Sequence, residues 1–298
     1  MKPFKIYALV FVLLSSCSEE FETVDDSILI SDLHLSKSFD YADNIPSHVV
    51  EILNREGFNV NRIINVDSGY IVENDIFFPE SYFFEPLENG GKKSVGVENK
   101  HYHTNALVYP SRTIRIAVKS SPLIYHQALE IAIQRYNNLG LRHTFLKKVY
   151  SNNPSDIKRD KMMGTETDIT LWAFYDGANQ IWGTGSFPIQ GRPGFSINLN
   201  RTTIENANLN VNAIATIIAH EIGHSIGFRH TDFMDRTFSC GPWVENPNEG
   251  VSSIGANHIP LSPIGPQFSW MQACNPGIDI PFTVNDISAL QILYGPMN

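Results

Sequence analysis

The chain has 298 residues, 42% apolar and 11% aromatic, enough for a leader segment and one large or two modest domains with a sizeable core. That composition excludes a disordered chain. A net charge of −9 without a basic stripe argues against nucleic acid as a partner.

Lys2 and Lys5 flank the start of an apolar stretch, Ile6 to Leu14. Residues 1–16 therefore have the form of a secretory signal, too short to cross a bilayer as a permanent helix. Leu14-Ser15-Ser16-Cys17 resembles a bacterial lipobox, whose Cys is lipidated and becomes the mature N-terminus. An ordinary signal peptide with an incidental Cys is the alternative. The resemblance implies lipid anchoring at the bacterial outer membrane or cell surface. Ser18-Glu19-Glu20 resembles the surface-export signals of some such lipoproteins. Residues 17–45 are polar, acidic and aperiodic, and read as a tether. If Cys17 carries lipid, Cys240 and Cys274 remain, and an even count outside the cytoplasm predicts one disulfide. Two separate buried thiols are the alternative.

Residues 46–105 read as a small N-terminal region. Pro46 to Phe58 carries Val49, Val50, Ile52 and Leu53 and ends at Gly57, as a short helix does. Asn59 to Val66 and Gly69 to Phe78 read as strands. The second contains Val72-Glu73-Asn74-Asp75-Ile76, which resembles the Phe-x-Gly-Asp-Ile segment of astacin pro-regions, whose Asp binds the zinc and blocks the site. Val replaces Phe and Asn replaces Gly, and Asn tolerates the left-handed conformation better than most residues. The resemblance implies a zinc switch at Asp75. A plain strand-end aspartate is the reading the residues alone favour. Residues 79–105 carry Pro, Gly and charge and read as a linker, with His101 and His103 solvated in it.

The main domain is expected over 106–298. Thr113 to Lys119 alternates apolar and polar residues as a half-buried strand does. Ser121-Pro122 offers a cap for a helix bearing Leu123, Ile124, Ala128, Leu129, Ile131, Ala132 and Tyr136, ended by Gly140. Phe145 to Tyr150, Asp168 to Tyr175 and Ser196 to Asn200 read as further strands. Gly177 to Gly194 is a long Gly- and Pro-rich loop of the kind that often carries function.

Val211, Ile214, Ile218 and Ile222 give the next helix one apolar face, with Asn208, Asn210 or Asn212 as its cap. This helix reaches Ala219-His-Glu-Ile-Gly-His-Ser-Ile-Gly-Phe-Arg-His230. His220 and His224 stand one turn apart on one face. Glu221 lies beside them, within reach of a metal-bound water. Gly227 lets the chain leave the helix sharply and bring His230 back. Three imidazoles with an open position describe a catalytic zinc. By chance the full pattern arises in the order of one such chain in ten thousand or fewer, so satisfied surface histidines are a weak rival.

H-E-x-x-H-x-x-G-x-x-H is the metzincin signature. The chain thus resembles metzincin zinc endopeptidases, and its H-E-I-G-H wording resembles the bacterial dual-action HEIGH metallopeptidases. The resemblance implies an α+β fold: a twisted mixed sheet, the active-site helix, then an irregular C-terminal subdomain with a Met-turn and a terminal helix. It also implies that substrate adds as a strand to an antiparallel edge strand bordering the cleft, with Gly183 to Pro188 as the candidate. Ser269-Trp270-Met271-Gln272 resembles the Met-turn, with Met234 as competitor. No Tyr stands two residues after Met271, so the extra Tyr ligand of astacins and serralysins is absent there. Thr283 to Gly295 reads as a capped terminal helix, with Ile287, Leu290, Ile292 and Leu293 inward, and resembles the last helix of matrix metalloproteinase and serralysin catalytic domains.

The implied chemistry is peptide-bond hydrolysis by one zinc on His220, His224 and His230, with Glu221 as general base. Protein or peptide substrates and a monomeric enzyme are expected. A surface lipoprotein binding peptide or glycan through a non-catalytic zinc site is the rival, and the intact Glu221 argues against it. A zinc amidase is a second rival, which the third His disfavours. Loop Asp and Asn residues allow calcium, but no D-x-D-x-D-G motif supports it.

Overall fold

The computed structural model describes residues 40–41, 45–66, 68–84, 101–119, 121–175, 181–244, 248–249, 256–260 and 268–296. The signal segment, Cys17 and most of the tether lie outside the described residues. Among the described residues no helix is long and apolar enough to cross a membrane.

The first elements are β1 (Asp40–Tyr41), α1 (Ser47–Arg55), β2 (Ile63–Val66), β3 (Gly69–Val72), β4 (Ile76–Pro79) and β5 (Tyr102–His103). Next come β6 (Thr113–Lys119), α2 (Leu123–Asn137), β7 (Thr144–Lys148), α3 (Pro154–Met163), β8 (Ile169–Phe174), β9 (Gly183–Ser186) and β10 (Ser196–Asn200). The chain continues with α4 (Arg201–Asn206), α5 (Val211–Ser225), β11 (Phe228–Arg229), α6 (Thr237–Cys240), β12 (Asn257–His258) and α7 (Val284–Tyr294). One mixed sheet runs β1-β2-β3-β4-β9-β10-β8-β6-β7, and a small one runs β11-β5-β12. The expected α+β class with a mixed sheet describes this architecture.

β7, β6, β8 and β10 are parallel neighbours, which requires crossovers such as α2 between β6 and β7. The core lies between this sheet and helices α2 and α5. Ile114, Ile116, Leu171, Ile197 and Leu199 meet Ala128, Leu129, Ala132, Ile214, Ile218 and Ile222 there, all buried. Each larger aliphatic side chain so buried contributes roughly 1.5–3 kcal/mol. Ser121 does not cap α2. Its hydroxyl donates to Lys119 O at 2.8 Å and accepts from Ala173 N at 3.1 Å, tying β6 to β8 instead. α3 has no counterpart in the sequence reading. It buries no residue, so it has no apolar period. Its ends define it: Asn153 caps Ser155 N, Pro154 opens the first turn, and Gly164 closes it at φ 62°.

The stretch Gly69 to Phe78 is a hairpin, not one strand. Val72 pairs with Ile76 across Glu73-Asn74-Asp75, with Glu73 and Asn74 at φ 56° and 78°. No glycine announces the reversal. Val49, Leu53, Phe58, Tyr70, Val72, Ile76, Phe78 and Phe83 form a second apolar cluster, which Phe187, just past β9, joins. β4 also pairs with β9 in parallel, Ile76 opposite Gly185 and Phe77 opposite Ser186. The strand expected to border the cleft as an edge is therefore flanked on both sides, by β10 and by β4.

His101 and His103 are not solvated linker residues. β5 pairs with β11 and β12, and His101 is buried with Nε2 2.8 Å from Asp286 Oδ1. The same Asp286 closes a capping box with Thr283 at the start of α7. Ala289, Leu290 and Tyr294 form the buried face of α7, and Ile292 lies off that stripe and is exposed. Cys240 and Cys274 are joined by a disulfide. In the chain-entropy picture a loop of this size is worth about 3–4 kcal/mol.

Candidate metal centre

α5 is apolar enough to be buried along almost its whole length. Its first turn is capped by Asn210 Oδ1, which accepts from Asn212 N and Ala213 N at 3.0 Å. At its end Gly227 adopts φ 105°, where a Cβ would stand 2.7 Å from Ala106 O. Only glycine fits that reversal. It turns the chain into β11 and returns His230 to the helix. The ring centroids of His220, His224 and His230 then lie 4.7, 5.2 and 4.9 Å apart.

Each ring is oriented through Nδ1. His220 Nδ1 lies 2.8 Å from Trp270 O, and His224 Nδ1 lies 2.9 Å from Phe228 O. His230 Nδ1 lies 2.7 and 2.8 Å from the two oxygens of Glu249. A proton on each Nδ1 satisfies these acceptors and leaves three Nε2 lone pairs facing one another. Nε2 of His224 is buried and makes no hydrogen bond among the described residues. A buried nitrogen left so, with two further imidazole lone pairs converging beside it, fits a metal ion.

Asp75, at the tip of the β3–β4 hairpin, closes the group. Its Oδ2 lies 2.7 Å from His230 Nε2, 3.6 Å from His220 Nε2 and 3.9 Å from His224 Nε2. One ligand atom from each of the four residues falls within 4.8 Å of every other. The strand-end reading that the residues alone favoured gives way to a carboxylate seated among three imidazoles. Gly185 N donates to Asp75 O at 2.9 Å, so β9 holds the tip in place.

The electrostatics follow from burial and close charges. Burial pushes the His224 imidazole down to about 4. Burial opposes a charge on His230 too, but the Asp75 and Glu249 carboxylates outweigh it and hold its pKa well above normal. Burial likewise opposes the charge on Asp75, and the three imidazoles, His230 first, overcome it and hold the acid well below its usual range. Burial, then the Asp75 charge, drives Glu221 well above the usual carboxylate range. Among the described residues its Oε2 has no hydrogen-bond partner. The glycines of β9 make room for it: a Cβ on Gly183 or Gly185 would stand 3.0 Å from a Glu221 carboxylate oxygen.

Met271 is fully buried, and its Sδ would lie 2.3 Å from a Cβ on Gly223, the residue before His224. Its O accepts from Thr231 N at 2.8 Å, next to His230. The competitor, Met234, is 42% exposed. Asp232 is buried and accepts from Ala273 N at 2.8 Å, which ties the Met271 turn to the segment after His230. Glu249 and its ion-pair partner Arg236, 3.1 Å away, were not found from sequence, because nothing in their spacing marks them.

The profile of the family described as dual-action HEIGH metallo-peptidase matches residues 86–294. The chain belongs to this family. It is a metallopeptidase, and proteins or peptides are its substrates. The match begins after the β1–β4 region and spans the whole metal centre except Asp75. Among solved structures, "Structure of myroilysin" is 12% identical, with 66% of this chain and 99% of that chain covered and a TM-score of 0.41. "Crystal structure of myroilysin" is also 12% identical, covering 64% of this chain and 87% of that one, with a TM-score of 0.36. No curated protein matches significantly.

Proposed function

We propose that this metallopeptidase is a zinc-dependent endopeptidase whose described state is latent, with Asp75 lodged at the metal. The observation that carries the reading is the meeting of four ligand atoms, three of them imidazole nitrogens, beside a buried Glu221 carboxylate whose Oε2 has no partner among the described residues. His220, His224 and His230 hold the ion through Nε2. Zinc bound there supplies a Lewis acid that lowers the pKa of a coordinated water and polarises a carbonyl. Glu221 accepts the water's proton on its carboxylate and delivers it to the leaving amine. The glycines of β9 keep that carboxylate close to the cleft wall, and Met271 packs beneath the two helical ligands. In the active state Asp75 withdraws, and substrate takes the place that β4 holds beside β9. In the same reading the protein is anchored outside the cytoplasm by lipid at Cys17 and acts as a monomer; the leader sequence supports the anchor.

The test is zinc-dependent cleavage of a mixed peptide library by the full chain carrying Asp75→Ala. Cuts should disappear with chelator and return with zinc. Cleavage unaffected by chelator would sink the reading. A second expectation concerns Glu249, which holds His230 Nδ1. Glu249→Gln should weaken zinc binding by roughly 10–100-fold, as loss of a partner to a liganding His does. Competition with a chromophoric chelator measures it, and unchanged affinity would remove Glu249 from the account.

A further inference from the structure

His230 has a carboxylate directly on its Nδ1, that of Glu249. His220 has a peptide carbonyl there instead, Trp270 O at 2.8 Å. That carbonyl belongs to the Trp270–Met271 peptide group, whose other end is also held. Met271 N donates to Ser269 Oγ at 3.1 Å, and Ser269 Oγ donates to Asp286 Oδ1 at 2.7 Å. A line of hydrogen bonds therefore runs from His220 Nδ1, through one peptide and one hydroxyl, to a carboxylate that is wholly buried.

A peptide group is planar, so fixing its N–H fixes the direction of its C=O, and with it the plane of the His220 ring. The bonds in such a line also polarise one another. A hydroxyl that donates to an anion is a better acceptor, and the peptide it engages presents a more negative oxygen. His220 Nδ1–H then meets a stronger acceptor, which makes Nε2 a better metal ligand. Asp286 thus acts on His220 across a peptide, as Glu249 acts on His230 by contact.

His101 completes the arrangement. Its Nε2 lies 2.8 Å from the same Asp286 oxygen that Ser269 engages, while Thr283 N donates to Oδ2 at 2.8 Å. Its ring stacks on Trp270, with centroids 6.4 Å apart, and Ile259 N donates to His101 O at 2.8 Å. Among the described residues His101 Nδ1 makes no hydrogen bond, although it is buried. A buried imidazole committed to one carboxylate, with its second nitrogen unsatisfied, adds little to stability. What it does is aim Oδ1 at Ser269 and hold the buried carboxylate there.

We propose that His101 and Asp286 are positioning residues for the metal centre, setting the orientation and donor strength of His220 through Ser269 and the Trp270–Met271 peptide. The proposal rests on His220 being a metal ligand.

The experiment uses the full chain with Asp75→Ala and, in that background, Ser269→Ala, His101→Leu and His101→Gln. Competition with a chromophoric chelator reads zinc affinity, and the visible absorption of the Co²⁺-loaded protein reads the ligand field at the site. Ser269→Ala and His101→Leu should each weaken zinc binding about tenfold, the low end for losing a partner behind a liganding His, because the link is indirect. The Co²⁺ bands should move in both. His101→Gln can still donate an amide N–H to Asp286 and should recover most of the affinity. A purely structural role would lower the melting temperature and leave the zinc affinity and Co²⁺ bands of the folded protein as in the parent, and that result would overturn the proposal. If His101→Leu does not fold, Ser269→Ala, which removes a single oxygen, decides the matter. A parent that binds no zinc would sink the zinc reading and the proposal together. A parent that binds zinc and cuts peptides, with variants that bind zinc equally well, would sink the proposal alone.

Discussion

Replacing Asp75 with Ala should raise the peptidase activity of the full chain by about 100-fold, because the block it removes is intramolecular and acts at a local concentration no free peptide matches. In the described state a substrate strand meets two obstacles. Asp75 Oδ2 stands 2.7 Å from His230 Nε2, and β4 holds the flank of β9 that an added strand would use. Asp75→Ala removes the first and loosens the second, since the tip is fixed by both its carboxylate and its backbone O. The carboxylate is also a metal ligand in this account, so zinc content must be measured with the rate. Asp75→Asn should fall between wild type and Ala, as the amide keeps the shape and loses the charge. Equal activity in wild type and Asp75→Ala, with equal zinc, would show that Asp75 does not restrain the enzyme.

The parts of this site that the sequence disclosed are those that depend on one helix. His220, Glu221 and His224 are placed by helical periodicity, and His230 by a single glycine at φ 105°, so spacing alone marks them. Strands with clean alternation, such as Thr113–Lys119 and Ser196–Asn200, were equally legible in their limits. Asp75 was legible only in part. Its hairpin turns on Glu73 and Asn74 in left-handed conformations without a glycine, so local propensity points to a continuing strand. What enforces the turn is tertiary: the ion pair of Glu73 with Arg229 and the pairing of β4 with β9. Glu249 sits 19 residues from the imidazole it holds, and His101 lies 185 residues from Asp286, distances over which no periodicity operates. The helix α3 failed for the opposite reason. It buries nothing, and only its capping residues specify it.

Replacing Glu221 with Gln in the Asp75→Ala background should lower kcat by about 1,000-fold, within the usual worth of a positioned general base. Gln is nearly the same size, so it fits against Gly183 and Gly185, where any larger neighbour would crowd it. Zinc should remain bound at one ion per chain, since the three imidazoles and their Nδ1 partners are untouched. What is lost is the proton acceptor at Oε2, the atom that has no partner among the described residues. The split between constants therefore decides the role. A fall in kcat with KM and zinc content unchanged locates the loss in proton transfer. A fall that tracks lost zinc would instead make Glu221 part of the metal's support. A variant within tenfold of its parent would require another base, and the only other carboxylate among the four clustered ligands, Asp75, is already absent from that background.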